Sequence, residues 1–157
     1  MNKVSKSGSL NEFDDNWKNR KEADYTHWTK KKIVSNQIQF AFRSHYKVFL
    51  EIIKKNKGKC LEIGCGRGSL SSYFAEDGWK TDLLDGSKKI LSVAKKIFER
   101  NNHNANFYLA DAEDLPIESN TYDLVFSIGL LEHFENPEKV ISEHYRVTKQ
   151  GGWLIMY

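Results

Sequence analysis

The chain is poor in cysteine, with Cys60 and Cys65 as its only two among 157 residues. No Cys/His partners stand near them at zinc-ligand spacing, and both fall on or beside one predicted strand. A disulfide scaffold and a zinc module are therefore excluded, and both cysteines read as reduced packing residues. Long hydrophobic runs are missing too. No apolar stretch approaches the roughly 18 residues of a membrane-spanning helix. The opening MNKVSKSGSLNEFDDNW has no apolar core of the kind a signal peptide carries. Internal repeats and low-complexity tracts are absent. With 39% hydrophobic, 13% aromatic and 29% charged residues and a mean hydropathy of -0.62, a single soluble domain is expected, placed in the cytoplasm.

The net charge of +3 is unevenly spread. Residues 1–59 hold 14 Lys/Arg against 6 Asp/Glu, a balance of +8, and residues 60–157 hold 10 against 15, a balance of -5. A basic third thus precedes an acidic remainder. One reading is a surface for an anionic substrate, a membrane face or nucleic acid. The other is a solvated helix face and tail. Lys30 to Lys32 and Lys54 to Lys59 flank a helix at both ends and form no single stripe, which favours the second. No nucleic-acid motif is present.

Organisation follows from periodicity. Residues 1–10 look disordered, and a short helix near 11–20 is expected to fold back through Phe13 and Trp17. Residues 33–56 predict a helix, with Ile38, Phe42, Phe49 and Ile53 on one stripe. From residue 60 the rhythm alternates. Strands are expected at Cys60–Ile63, Lys80–Leu84, Asn106–Ala110, Tyr122–Ile128 and Trp153–Tyr157. Helices are expected at Ser69–Glu76, Ser87–Arg100 with Ser87 as N-cap, and Pro137–Val147 with Asn136 as N-cap. Gly151 and Gly152 read as a turn. This alternation predicts an α/β, Rossmann-like, doubly wound and mostly parallel sheet. Residues 1–58 would form a helical segment on the lid or substrate side, and residues 59–157 the core.

In such sheets a ligand sits beyond the carboxyl ends of the strands. Four strand ends carry polar or glycine residues: Gly64, Gly66 and Gly68 after the first, Asp85 at the second, Asp111 at the third, Ser127 to His133 after the fourth. Glycines let backbone approach a ligand and present amide N–H groups near a helix start. Asp85 lies 21 residues after Gly64, where a carboxylate can hold both ribose hydroxyls, so an adenosine derivative is expected. A dinucleotide loop would place its third glycine at Ser69, and here it is Gly68. Glu62 beside the turn suits a cation better than a pyrophosphate.

The stretch LEIGCGRG, in the pattern E-x-G-x-G-x-G, resembles motif I of the class I S-adenosylmethionine-dependent methyltransferases. The resemblance continues through LLDGSKKILSVAKK and on from FYLADAEDLP to GGWLIM, covering about residues 59–157. It implies the strand order 3-2-1-4-5 and S-adenosyl-L-methionine as cofactor, with S-adenosyl-L-homocysteine as product. By position, Glu62, Ile63, Gly64, Cys65 and Gly66 would line the methionine end. Asp85 would bind the ribose, and Gly86 replaces the apolar residue that packs on adenine in the family. Asp111 and the Ala112 amide would meet the adenine, and the backbone of Ser127 and Ile128 the cofactor's amino group.

The resemblance also implies in-line methyl displacement onto a small-molecule acceptor, with no triad, metal cluster or nucleic-acid partner required. Members of the family continue through two further strands, whereas this sequence stops at Tyr157, as a truncated or a naturally short member would. Without them Trp153–Tyr157 would be an apolar edge prone to homodimer pairing. His133 could serve as a general base or in capping and packing. Glu62 could instead cap the next helix or pair with Arg67. Trp17, Tyr25, His27 and Trp28 could form a lid or simply anchor the N-terminal segment. His45, His103 and His144 read as structural or surface residues, and Cys65 has no base beside it to make it a nucleophile. Two other function classes stand beside methyl transfer. One is a cofactor-binding module without turnover, and the other an NAD-dependent oxidoreductase.

Overall fold

Asn36 begins the first helix because its side chain accepts the Gln39 amide at 2.9 Å. The helix, α1 (Gln37–Ile53), ends where Lys54 turns left-handed at φ 45° and its amide bonds back to Leu50 O. The computed structural model describes residues 27–54 and 57–157. Phe13, Trp17, Tyr25 and the expected helix at 11–20 lie outside those residues. The expected span of 33–56 is longer than α1, since Asn36 and Lys54 cap it at both ends. Its inward face is also shifted. Gln39, Tyr46, Phe49 and Ile53 are buried, while Ile38 and Phe42 are only half-buried.

The remaining elements follow in chain order: β1 (Lys59–Ile63), α2 (Ser69–Glu76), β2 (Lys80–Asp85), α3 (Lys88–Arg100), β3 (Ala105–Leu109), β4 (Tyr122–Ser127), a 3-10 turn (Leu131–His133), α4 (Glu138–Val147) and β5 (Thr148–Met156). The sheet order is β3-β2-β1-β4-β5, and every pair is parallel. This is the doubly wound α/β arrangement that the alternation predicted. Ser87 caps α3, accepting the Ile90 amide at 3.3 Å. At α4 the expected Asn136 cap moves by one residue to Pro137, which makes no side-chain cap bond.

A larger difference lies at β5. Residues Gly151 and Gly152 do not form a turn before it but an irregularity inside it. Tyr122 pairs with Thr148 and Leu124 already with Trp153, so β5 carries extra residues against β4. Gly151 absorbs the bend at φ 74°.

Two faces of the sheet are covered. On one, Tyr46, Phe49 and Ile53 of α1 and Leu70, Tyr73 and Phe74 of α2 pack on Cys60, Leu124 and Phe126. Their rings interlock edge to face, Phe49 on Phe126 at 5.6 Å and Tyr46 on Phe74 at 4.9 Å between centroids. Each fully buried aromatic contributes about 1.5–3 kcal/mol. On the other face, Val140 and Val147 of α4 cover Leu61, Ile63 and Val125. At the amino ends of the strands Asp82 is a buried tie. It accepts Tyr122 Oη at 2.8 Å, Asn106 N at 3.2 Å and Asn106 Nδ2 at 2.9 Å, and pairs with Lys59 Nζ at 3.2 Å. Four strands are thereby joined at that end, which leaves the carboxyl ends for ligands.

Candidate functional site

At the carboxyl end of β1 the chain turns through Gly64, Gly66 and Gly68, all at positive φ. Gly68 is required on two counts. Its φ is 68°, and a Cβ there would sit 2.5 Å from Leu83 Cδ2. Gly66 is the opposite case. Its φ is 52°, yet a Cβ would meet nothing within 4 Å. The backbone at Gly66 therefore faces open space while its conformation still excludes most side chains. The loop is tied to the next strand end, since Gly66 N donates to Asp85 Oδ2 at 2.9 Å and Cys65 N to Leu84 O at 3.0 Å. Asp85 Oδ1 accepts the Ser87 amide at 2.9 Å, so one carboxylate spans the glycine turn and the start of α3.

The third strand end joins through Ala110, whose amide donates to Asp85 O at 3.3 Å. Asp111 is exposed, and its Oδ1 accepts the Glu113 amide at 3.0 Å. Ala112 is buried beside Leu115. Sequence reasoning missed what holds this turn. Arg146 of α4 forks onto Glu143 at 2.6 and 2.7 Å, and also donates to Ile117 O at 2.7 Å and Leu115 O at 3.0 Å. Glu143 in turn accepts the Leu115 amide at 2.7 Å. The guanidinium holds the Glu143 carboxyl below the usual range. Arg146 and Glu143 hold the backbone at Leu115 and Ile117; their i,i+3 spacing marks an ion pair on a helix, but nothing local marks the turn it reaches.

Glu62 sits on β1 with 4% exposure. Its Oε2 accepts both the Ser71 amide at 3.1 Å and the Ser71 hydroxyl at 2.5 Å. The capping role expected as an alternative is thus realised at the first turn of α2. Burial pushes the carboxyl up to about 7, the Ser71 bonds oppose this, and the Asp85 charge adds to it. A second carboxylate nearby and a low-dielectric setting make this an acid that gains from a cationic partner.

The β4 end contributes Ser127, 1% exposed, whose hydroxyl has no hydrogen-bond partner among the described residues. Its carbonyl already accepts Tyr157 N at 3.1 Å, and Gly129 N donates to Tyr157 O at 2.7 Å. Ile128 packs against the α1–α2 cluster. Ile63 points to the opposite face, with Leu61 and Leu84. Gly86 lies half-buried between Asp85 and Ser87. Burial raises the Cys65 thiol well above its ordinary value, so it is no nucleophile. His133 lies on the 3-10 turn, with Nε2 4.0 Å from Glu132 Oε1.

Of the aromatic N-terminal residues, Trp28 is an anchor. It is 7% exposed and meets the Tyr73 ring edge to face at 5.8 Å. His27 reaches the glycine loop, with Nε2 3.4 Å from Arg67 Nη1. His144 is fully buried, where desolvation lowers its pKa, and its Nδ1 pairs with Val140 O at 2.7 Å. Among the described residues no group of His, Cys, Asp and Glu could hold a metal ion.

The site is a bare backbone turn flanked by buried and exposed carboxylates, with the buried, unpartnered Ser127 hydroxyl at the end of the neighbouring strand. These residues fit a ligand with a ribose and a net positive charge, as S-adenosyl-L-methionine has. Open space over Gly66 beside the buried Glu62 and the tied Asp85 is the observation that meets it.

Comparison with known proteins points the same way. A ubiquinone biosynthesis O-methyltransferase of Coxiella burnetii is 34% identical over 99 residues, 62% of this chain and 42% of that one. A malonyl-[acyl-carrier protein] O-methyltransferase of Buchnera aphidicola is 41% identical over 96 residues, 60% of this chain and 37% of that one. The chain therefore spans about two fifths of these relatives' length. A solved protein of Methanococcus maripaludis, described as a candidate S-adenosyl-L-methionine-dependent methyltransferase, superposes with a TM-score of 0.69. It is 29% identical and matches over 73% of this chain and 54% of its own. The family described as "Methyltransferase domain" matches residues 61–156, and the chain belongs to that family.

Proposed function

We propose that this chain binds S-adenosyl-L-methionine and transfers its methyl group to a small-molecule acceptor. The observation that carries the reading is the buried Glu62, poised near neutrality behind a glycine turn that Asp85 ties down. A cation entering there compensates a carboxylate that the fold otherwise keeps at a cost. Glu62 and the backbone of Ile63 to Gly66 would hold the methionine end, Asp85 the ribose hydroxyls, and Gly86 would lie against the adenine. Asp111 and Ala112 would hold the adenine, and Ser127 with Ile128 the amino group. The bound cofactor supplies an already activated methyl. The protein's own task is then to align the acceptor and exclude water, which can contribute several kcal/mol.

Both named relatives are O-methyltransferases, which supports an oxygen acceptor here. His133, beyond β4, is the residue to take that oxygen's proton. Residues 1–58 form the acceptor-side cover in this reading, supported by the His27–Arg67 contact. The reading includes a homodimer through the outer edge of β5, where Trp153 is 41% exposed. A monomeric mass by light scattering at high concentration counts against that assembly. The proposed location is the cytoplasm. No helix among the described residues is long and apolar enough to cross a membrane.

Calorimetric titration with S-adenosylhomocysteine and, separately, NAD tests the reading, with Asp85→Ala as control. Binding of the first alone, lost in the variant, is the expected result. A folded chain that prefers NAD, or a variant that binds as well as the parent, overturns it.

A further inference from the structure

A cavity of about 390 Å³ opens on the outer side of the α2–α3 layer, beneath residues 27–35. Its rim carries Lys30 and Lys31 from the N-terminal segment, Lys96 and Arg100 from α3, and His27 with Arg67 of the glycine loop. Among the described residues that line it, none is acidic. Three segments distant in sequence thus converge on one concavity with one sign of charge. Solvated surface lysines do not need such an arrangement, because their mutual repulsion is lowest when they spread apart.

The wall is also held in place. Arg43 of α1 donates to Thr29 O at 2.7 Å, Lys31 O at 2.5 Å and Lys32 O at 2.7 Å, stapling three carbonyls of the lysine loop. Gln39, 1% exposed, accepts the Ser35 amide at 2.9 Å and the Ser35 hydroxyl at 3.0 Å, closing the other end. A loop pinned by its backbone presents its lysines with less entropy left to lose on binding. The volume falls within the range of small-ligand pockets.

We propose that this cavity is an anion-binding site for a small phosphate- or carboxylate-bearing ligand, built beside the cofactor loop and contacting it through Arg67. The site stands independently of the cofactor assignment, since Glu62, Asp85 and Asp111 do not line it. A one-sign cleft also concentrates its ligand and speeds encounter, so binding weakens with added salt.

The test is calorimetric titration of the full chain with inorganic pyrophosphate and, in parallel, citrate, at low and high salt. The variants are Lys96→Ala combined with Arg100→Ala, both exposed on α3, and a control removing two exposed lysines elsewhere, Lys47→Ala with Lys80→Ala. The expected result is a single site weakened about tenfold or more in the cavity variant and unchanged in the control. The tighter of the two anions assigns phosphate or carboxylate. Lack of binding by either anion, or equal weakening in both variants, overturns the proposal. If the α3 variant loses its circular dichroism, Lys30→Ala with Lys31→Ala is read by the same criteria. S-adenosylhomocysteine is titrated on every sample. Pyrophosphate binding without it leaves the cavity standing while the cofactor reading fails.

Discussion

Replacing Glu62 by Gln should make the protein more stable and worse at binding its cofactor, by amounts that depend on pH. The carboxyl ordinarily titrates at 4.5 and is pushed up to about 7 by burial. The folded state therefore keeps a proton that the unfolded chain has already lost between those values, and stability falls as pH rises through that window. The full gap corresponds to about 3 kcal/mol, reached near pH 8.5, and shrinks to about 1 kcal/mol near pH 5.5. Gln cannot ionise, and its carbonyl can still accept from Ser71. The other titrating groups are common to both proteins and cancel in the comparison. At about 2–4 °C per kcal/mol for a chain of this size, the variant should melt roughly 6–12 °C above the parent near pH 8.5. The advantage should fall by more than half near pH 5.5. Binding of S-adenosylhomocysteine should weaken about 30-fold or more, since a charge-assisted contact to the ligand's ammonium is lost. Paired thermal melts and calorimetry at the two pH values read both effects. A variant that melts no higher than the parent near pH 8.5, or an advantage that does not change with pH, refutes the assignment of Glu62 as a buried acid held ready for a cation.

The two loop glycines should respond differently to alanine. Gly68→Ala brings a Cβ to 2.5 Å from Leu83 at positive φ and should cost about 2–4 kcal/mol in denaturant melts. Gly66→Ala meets no neighbour, so it should cost only about 1–2 kcal/mol while abolishing S-adenosylhomocysteine binding. Equal stability losses in the two would contradict the geometry. Arg146→Lys removes the fork that joins Glu143 to Leu115 and Ile117. It should speed hydrogen exchange across residues 111–117 and weaken binding about tenfold, and unchanged exchange there would remove Arg146 from the site's support. Because Glu62 ionises near neutrality, binding to the parent should tighten as pH rises from about 6 to 8, a trend that Glu62→Gln should erase.

Much of this could be read from residues alone, because a parallel sheet writes its polarity into sequence. The apolar runs Leu83–Leu84 in β2 and Leu124–Phe126 in β4 stop at Asp85 and Ser127, and the glycine turn follows Ile63 of β1, so the ligand side is marked. What escaped is what the chain brings together across distance. Arg146 reaches a turn about 30 residues upstream, and Lys96 and Arg100 meet Lys30 and Lys31 only in the folded molecule. Gly151 and Gly152 read as a turn by composition, yet β4 recruits their segment as an irregular strand, because pairing outweighs local preference.

The two buried carboxylates show why polarity matters more than burial. Asp82 and Glu62 lie on neighbouring strands, both nearly inaccessible. Asp82 stands at the amino end with four contacts from three residues, Lys59 of β1, Asn106 of β3 and Tyr122 of β4, and such an acid is consumed by the fold. Glu62 stands near the carboxyl end, and both of its hydrogen bonds fall on one oxygen, Oε2, from a single serine. Its desolvation is left less compensated than that of its neighbour, at the end of the sheet where the Gly66 backbone faces open space. The same residue chemistry, displaced by a few ångströms along a parallel strand, thus separates an acid that holds the sheet together from one that waits for a cation.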